Sequence, residues 1–348
     1  MKTKSIITLV LFTILTTIAT AEGHPSNIDF DGLKFSLYTD FTIYAGADEE
    51  TDSTDGSKSW DPYFEFGQNH FIVLGSISTD RLSLLCDITD FSDLLEVSLM
   101  GNKGTLTVGR ILIPFGDYNY HHIYGGYADE DSLFLPFFWT DYGLKGSWWF
   151  GMGHQLEAAF TNGFAVDSES DPEPVFSTSP SSENNLMKAV NLRMTLYPSL
   201  KTKAVFSFMY DIYGEDETSF SDKWTDESIL LFGTDLTQTM GDLTLKGGVA
   251  LMEENQSGVA DTWRYGWYGE AKYRFEDFYL RFRTGGIDTD TDESNEEDTL
   301  NFNLGFIVPM GPLEWHTTYL HTVPLGSTEY GDPTGLSHEL MTKLIIHL

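Results

Sequence analysis

The chain has 348 residues, and 53 Asp and Glu against 20 Lys and Arg give it a formal charge of −33. That acidity excludes nucleic-acid binding, which needs a basic surface, and argues against docking on anionic lipid headgroups. A single cysteine, Cys86, excludes an internal disulfide framework and any Cys-x-x-Cys zinc site.

Residues 1–21 read as a secretory signal peptide. Lys2 and Lys4 start it, an apolar and threonine run from Ile6 to Ile18 follows, and Ala19-Thr20-Ala21 forms an A-x-A cleavage site. The run is short of the ~20 apolar residues of a spanning helix. Residues 22–348 then form one domain. Beyond residue 21 no apolar run reaches helix length, while Phe (25), Tyr (17) and Trp (8) are abundant. A secreted, aromatic-rich chain of this kind can still cross a membrane as a closed barrel, because strand-to-strand pairing satisfies every backbone group.

Period-2 alternation dominates the chain. Phe35, Leu37, Thr39, Phe41, Ile43 and Ala45 share one face, and Lys34, Ser36, Tyr38, Asp40, Thr42 and Tyr44 share the other. Farther on, Trp263, Tyr265, Trp267, Ala271, Tyr273 and Phe275 oppose Arg264, Tyr268, Glu270, Lys272 and Arg274. Phe278, Leu280 and Phe282 oppose Arg281 and Arg283. Counting such stretches gives about sixteen, a number that a closed membrane barrel of this length would carry. The predicted strands cover 33–46, 64–78, 82–90, 94–100, 105–113, 140–150, 154–163, 187–197, 202–213, 227–239, 243–254, 264–275, 278–288, 299–309, 314–323 and 336–348. The fold class is therefore all-β: a transmembrane antiparallel up-and-down β-barrel.

The connections support this. Short ones, rich in turn residues, lie at 78–80, 101–104, 151–153, 198–200, 241–242, 276–277 and 311–312. Long ones lie at 47–62, 114–139, 164–186, 214–226, 255–263, 289–298 and 324–335. The two kinds alternate, except at a tight link near 91–93. Short periplasmic turns and long external loops are the barrel pattern. Leu336, Leu340, Leu344, Ile346 and Leu348 give the last strand its apolar face, with Leu348 where a terminal aromatic is usual.

Residues 105–145 carry a family resemblance. The run Gly109-Arg110-Ile111-Leu112-Ile113-Pro114-Phe115-Gly116 is followed by a loop, by Phe134-Leu135-Pro136 and Trp139, and by Asp141-Tyr142-Gly143-Leu144. This stretch resembles the phosphate-selective porin-like and siderophore-porin (LbtU-like) families. The resemblance implies a porin-type barrel and assigns no solute-binding residue. It also implies that the third external loop, 114–139, folds inward and narrows the pore. The loop's rings (Tyr118, Tyr120, Tyr124, Tyr127, Phe134, Phe137, Phe138, Trp139) need a wall to cover them, inside the lumen or across the mouth. Pro114 removes a ladder donor and Gly116 permits a sharp turn, so the strand must end there. Arg110 shares parity with Leu106, Val108 and Leu112. It therefore needs either a bulge near Gly109 or a place at an interface, since an arginine on mid-membrane lipid costs ~2–4 kcal/mol.

The candidate constriction pairs Asp117, Asp129, Glu130 and Asp131 of this loop with Arg264, Arg274, Arg281 and Arg283 of the wall. Basic residues concentrate on predicted lumen faces. They either form a transverse field with the loop acids or pair with lumen acids such as Asp40, Asp87, Glu157, Asp211 and Glu270. Asp288-x-Asp290-x-Asp292 starts like a calcium loop, but Glu293 and Thr299 replace its glycine and final glutamate. His121-His122 has no further metal ligand at useful spacing, and no serine- or histidine-centred catalytic motif is present. The expectation is a non-enzymatic outer-membrane porin for passive diffusion of small hydrophilic solutes or ions. It needs no metal or cofactor, and its partners are outer-membrane lipid and lipopolysaccharide. A specific uptake barrel, for instance for an iron chelate, is the alternative, and a barrel enzyme comes third. A homotrimer is left open.

Overall fold

The computed structural model describes residues 34–51, 58–66, 71–87, 94–117, 140–163, 189–212, 228–255, 262–288, 299–324 and 337–347. Every regular element among them is a strand. The first eight are β1 (Lys34–Thr51), β2 (Lys58–Phe66), β3 (Phe71–Ser78), β4 (Leu82–Asp87), β5 (Leu95–Met100), β6 (Gly104–Leu112), β7 (Thr140–Phe150) and β8 (His154–Thr161). The rest are β9 (Ala189–Ser199), β10 (Thr202–Ile212), β11 (Ser228–Met240), β12 (Leu243–Asn255), β13 (Thr262–Arg274), β14 (Tyr279–Asp288), β15 (Thr299–Met310), β16 (Leu313–Pro324) and β17 (Ser337–His347).

These 17 segments fill sixteen places in the barrel, because β2 and β3 share one edge of β1. Thr51 to Ile43 of β1 pair with Lys58 to Phe66, and Thr39 to Lys34 pair with Phe71 to Ser76. The second predicted strand is thus present, begins earlier than expected, and is described in two pieces, β2 and β3. From β3 onward each strand pairs antiparallel with its successor. β17 returns to the other edge of β1, from Tyr38↔His347 to Asp48↔Ser337. Following the partners once around the ring displaces the register by about 20 residues, which sets a strand tilt of ~40° and a radius of ~16 Å. A barrel of that girth is too wide for wall side chains alone to fill.

The alternation now acquires faces. Phe41, Phe64, Leu106, Phe160, Phe206, Phe232, Phe282 and Leu304 lie exposed on the outer surface. Thr107, Ser147, Glu157, Asn191, Ser207, Asp235, Arg281, Arg283, Asn303 and Lys343 lie buried on the inner one. A barrel in lipid needs this inversion of a soluble protein's surface. Rings gather at the short-turn end, where Tyr273, Phe275, Phe278 and Phe306 contact one another in series, as in an interface girdle. Gly241 and Gly311 hold positive φ (62° and 72°) in two of these tight turns. The signal peptide, residues 52–57 of the first predicted long loop, most of each other one, and His121-His122 lie outside the described residues. The first loop is shorter than expected, because β1 runs on to Thr51 and β2 begins at Lys58.

The pairing of β5 with β6 runs unbroken from Arg110 to Thr105, so no bulge shifts the register at Gly109. Arg110 therefore keeps the outer parity and stands at the end of β6. There its Nε donates to Thr140 Oγ1 at 2.9 Å, and its guanidinium lies 5.9 Å from the centre of the Tyr142 ring. These neighbours leave Arg110 only 4% exposed. The interface position is the alternative that the structure adopts.

Candidate functional site

The site is built where β6 ends. Leu112 closes the strand, and the Phe115 N–H donates to the Ile113 carbonyl at 2.9 Å, a three-residue turn across Pro114. The fixed φ of proline suits the centre of such a turn. Gly116 follows at φ 68°, a left-handed conformation open to glycine. Together they turn the chain off the line of β6 and lay Ile113–Asp117 against the inner wall of β9–β12.

Three kinds of contact hold the segment there. Ile113 joins Ala189, Met209, Ile229, Leu231 and Met252 in a buried apolar cluster, with Phe115 packed against it. Phe115 sits over Gly233, where an added methyl would come within 2.8 Å of the ring. The Gly116 N–H donates to Ser207 Oγ at 2.8 Å, and Arg193 Nη1 donates to the Gly116 carbonyl at 3.3 Å. Asp117 then accepts an ion pair from Lys203 and a hydrogen bond from Thr237 Oγ1 at 3.4 Å. Its backbone faces the Asp235 carboxylate. From Ile113 to Asp117 these contacts move toward the short-turn ends of β10 and β11, so the segment descends along the wall.

The other candidate residues divide. Asp129, Glu130 and Asp131 lie outside the described residues. Arg264 stands near the long-connection end of β13 and pairs with Glu254 at 3.3 Å. Arg281 is buried and pairs with Glu270 at 2.8 Å. Arg283 lies 4.5 Å from the centre of the Tyr268 ring. Arg274 is exposed at the opposite end of β13, beside the turn closed by Phe275 N–H and the Phe278 carbonyl. The four arginines therefore do not form one ring at one height. Asp117 meets Lys203, not these arginines, because β10 and β11, rather than β13 and β14, flank the descending segment.

Pairing within the wall is extensive: Arg193 with Glu157, Lys145 with Glu96, Arg264 with Glu254, and Arg281 with Glu270. These pairs knit neighbouring parts of the inner face together. Sequence reasoning placed basic residues on the lumen faces but connected neither Lys203 nor Arg193 to the loop. Ser207, Gly233, Asp235 and Thr237 were missed as partners, and the one available signal was a small residue, Gly233, on an inward position. Among the described residues no group of three or more His, Cys, Asp or Glu is placed to hold a metal ion.

No family model matches the chain, and no curated protein matches it. Solved structures do. OmpF of Salmonella typhi, in complex with daunomycin, aligns with a TM-score of 0.61 at 10% identity, over 91% of this chain and 98% of that one. The outer membrane channel DcaP of Acinetobacter baumannii aligns at 0.56 and 13%, over 94% and 99%. A loop L8 deletion of OmpT, an outer membrane protein of Vibrio cholerae, aligns at 0.56 and 12%, over 91% and 100%. At these identities the likeness fixes the fold alone: the chain has the fold of bacterial outer-membrane porins and channels, an all-β antiparallel up-and-down barrel.

Proposed function

We propose that the protein is an outer-membrane porin through which small hydrophilic solutes or ions diffuse passively, without catalysis, metal or cofactor. The observation that carries this reading is the combination of an outer apolar surface, a charged and hydrogen-bonding inner surface, and a girth that leaves an aqueous channel. The lipid and lipopolysaccharide of the outer membrane surround it, and a homotrimer, a form described for OmpT of Vibrio cholerae, is left open as its assembly. The kinship over residues 105–145 with phosphate-selective porin-like or siderophore-porin families belongs to the same proposal.

In this reading the loop 114–139 sets the narrowest point of the pore. Its root, Ile113–Asp117, supports the reading by being docked inside the barrel. Asp129, Glu130 and Asp131 then face the wall cations Arg264, Arg281 and Arg283, with Asp117 held by Lys203 at the root. Arg274, exposed at the turn, contributes at the pore exit. The test is reconstitution in planar bilayers. Ligand-independent conductance is expected, and shortening the loop between Asp117 and Leu133 is expected to raise it severalfold. A barrel that inserts and conducts nothing would overturn the porin reading. Unchanged conductance in a folded deletion would remove the constriction.

A further inference from the structure

A row of side chains crosses the inner wall beside the loop root. Asp235 of β11 pairs with Gly248 of β12, Gly248 with Tyr268 of β13, and Tyr268 with Gly285 of β14. The two glycines make this row work. A methyl at Gly248 would stand 2.5 Å from Asp235 Oδ1 and 2.6 Å from Tyr268 Cε1. A methyl at Gly285 would stand 3.2 Å from Tyr268 Cβ. Glycine on both sides lets the tyrosine ring lie across β12, and its hydroxyl donates to Asp235 Oδ1 at 2.7 Å.

The ring is fixed from other directions as well. The Arg283 guanidinium lies 4.5 Å from its centre and Lys246 Nζ 5.8 Å, and Ala250 packs beside it. Such cation–ring contacts hold an aromatic plane in place. The far end of the row is the loop root, since the Asp117 backbone faces the same Asp235 carboxylate and Thr237, two residues along the same face of β11, donates to the Asp117 side chain. A carboxylate has about four acceptor directions, and a donor on one of them sets where the others point.

We propose that Tyr268 is a positioning residue for the pore-narrowing loop: by fixing the Asp235 carboxylate it sets where Asp117 docks. This inference rests on reading Ile113–Asp117 as the root of the constriction. It connects the arginine-bearing strands β13 and β14 to the loop through one hydroxyl, so a change at Arg283 or Tyr268 reaches the pore without touching solute.

The test uses the full chain refolded in detergent, with hydrogen–deuterium exchange read by mass spectrometry. Tyr268→Phe removes only the hydroxyl. Exchange in the peptide carrying Ile113–Asp117 is expected to quicken severalfold, while β11 and β12 peptides stay protected and open-channel current noise rises. Tyr265→Phe, on the outer face of the same strand, is expected to change neither. Unchanged exchange at the root in Tyr268→Phe overturns the proposal, as does equal loosening of β11 and β12. Should Tyr268→Phe not fold, Asp235→Asn weakens the same two contacts from the other side, and unchanged root exchange there is equally fatal. Faster exchange with wild-type conductance and noise keeps Tyr268 as a strut and removes the constriction reading instead.

Discussion

Asp117 and Lys203, 86 positions apart in sequence, form an ion pair on the inner wall of the barrel. The contact joins the start of a long external connection to the beginning of a strand near the short-turn end. Lys203→Met is expected to leave barrel assembly intact, since the Lys203 side chain is 30% exposed and Asp117 keeps the hydrogen bond from Thr237. It is expected to increase single-channel current noise at low salt. High salt, which shortens the screening length to ~3 Å at 1 M, should shrink the difference between variant and wild type. Identical noise at all salt concentrations would show that Lys203 does not restrain the segment.

Gly233 offers a steric test of the docked segment. A side chain there meets Phe115, with the first added carbon 2.8 Å from the ring. Gly233→Val is expected to destabilise the barrel by ~1–3 kcal/mol, the usual cost of overpacking. Phe115→Ala in the same chain opens the space and should recover part of that loss. The check is urea unfolding in lipid vesicles. Purely additive effects of the two changes would mean that they do not touch.

Arg281 and Glu270 test the pairing of wall charges. Arg281 is 1% exposed, and its Nη2 lies 2.8 Å from Glu270 Oε2. Arg281→Ala strands a largely buried carboxylate and is expected to cost ~3–5 kcal/mol. Arg281→Met with Glu270→Gln removes both charges and should cost much less. The comparison is made by unfolding midpoints. Equal losses in the two variants would show that pairing is not what the arginine supplies.

Leu304 tests the assignment of faces. It is 50% exposed at the middle of β15, between the inward residues Asn303 and Gly305. Leu304→Arg is expected to cost ~2–4 kcal/mol in a bilayer, as an arginine at mid-depth on lipid does. The matched change Thr237→Arg, on the inner face, should spare vesicle insertion and alter conductance instead. Insertion and unfolding in vesicles separate the two. A reversed outcome would invert the faces.

The alternation of apolar and polar residues sufficed to place sixteen strands, to sort the turns from the long connections, and to predict which side of each strand meets lipid. It did so because side-chain direction in a strand has period 2, a property of the local backbone that needs no knowledge of partners. Pro114 and Gly116 likewise announced the end of β6 through their own φ preferences. Which residues meet across the barrel was not local. Asp117 with Lys203, Ile113 with Met209 and Leu231, and Tyr268 with Asp235 depend on strand register and on a displacement accumulated around the whole ring. The shared edge of β1, where β2 and β3 lie end to end, was hidden for the same reason. So was the resting place of Arg110, which its neighbours Thr140 and Tyr142 decide and its own parity does not. Sequence determined the faces, because each strand carries its own alternation. Tertiary structure alone decided the contacts, because partner identity is a sum over sixteen registers that no single strand contains.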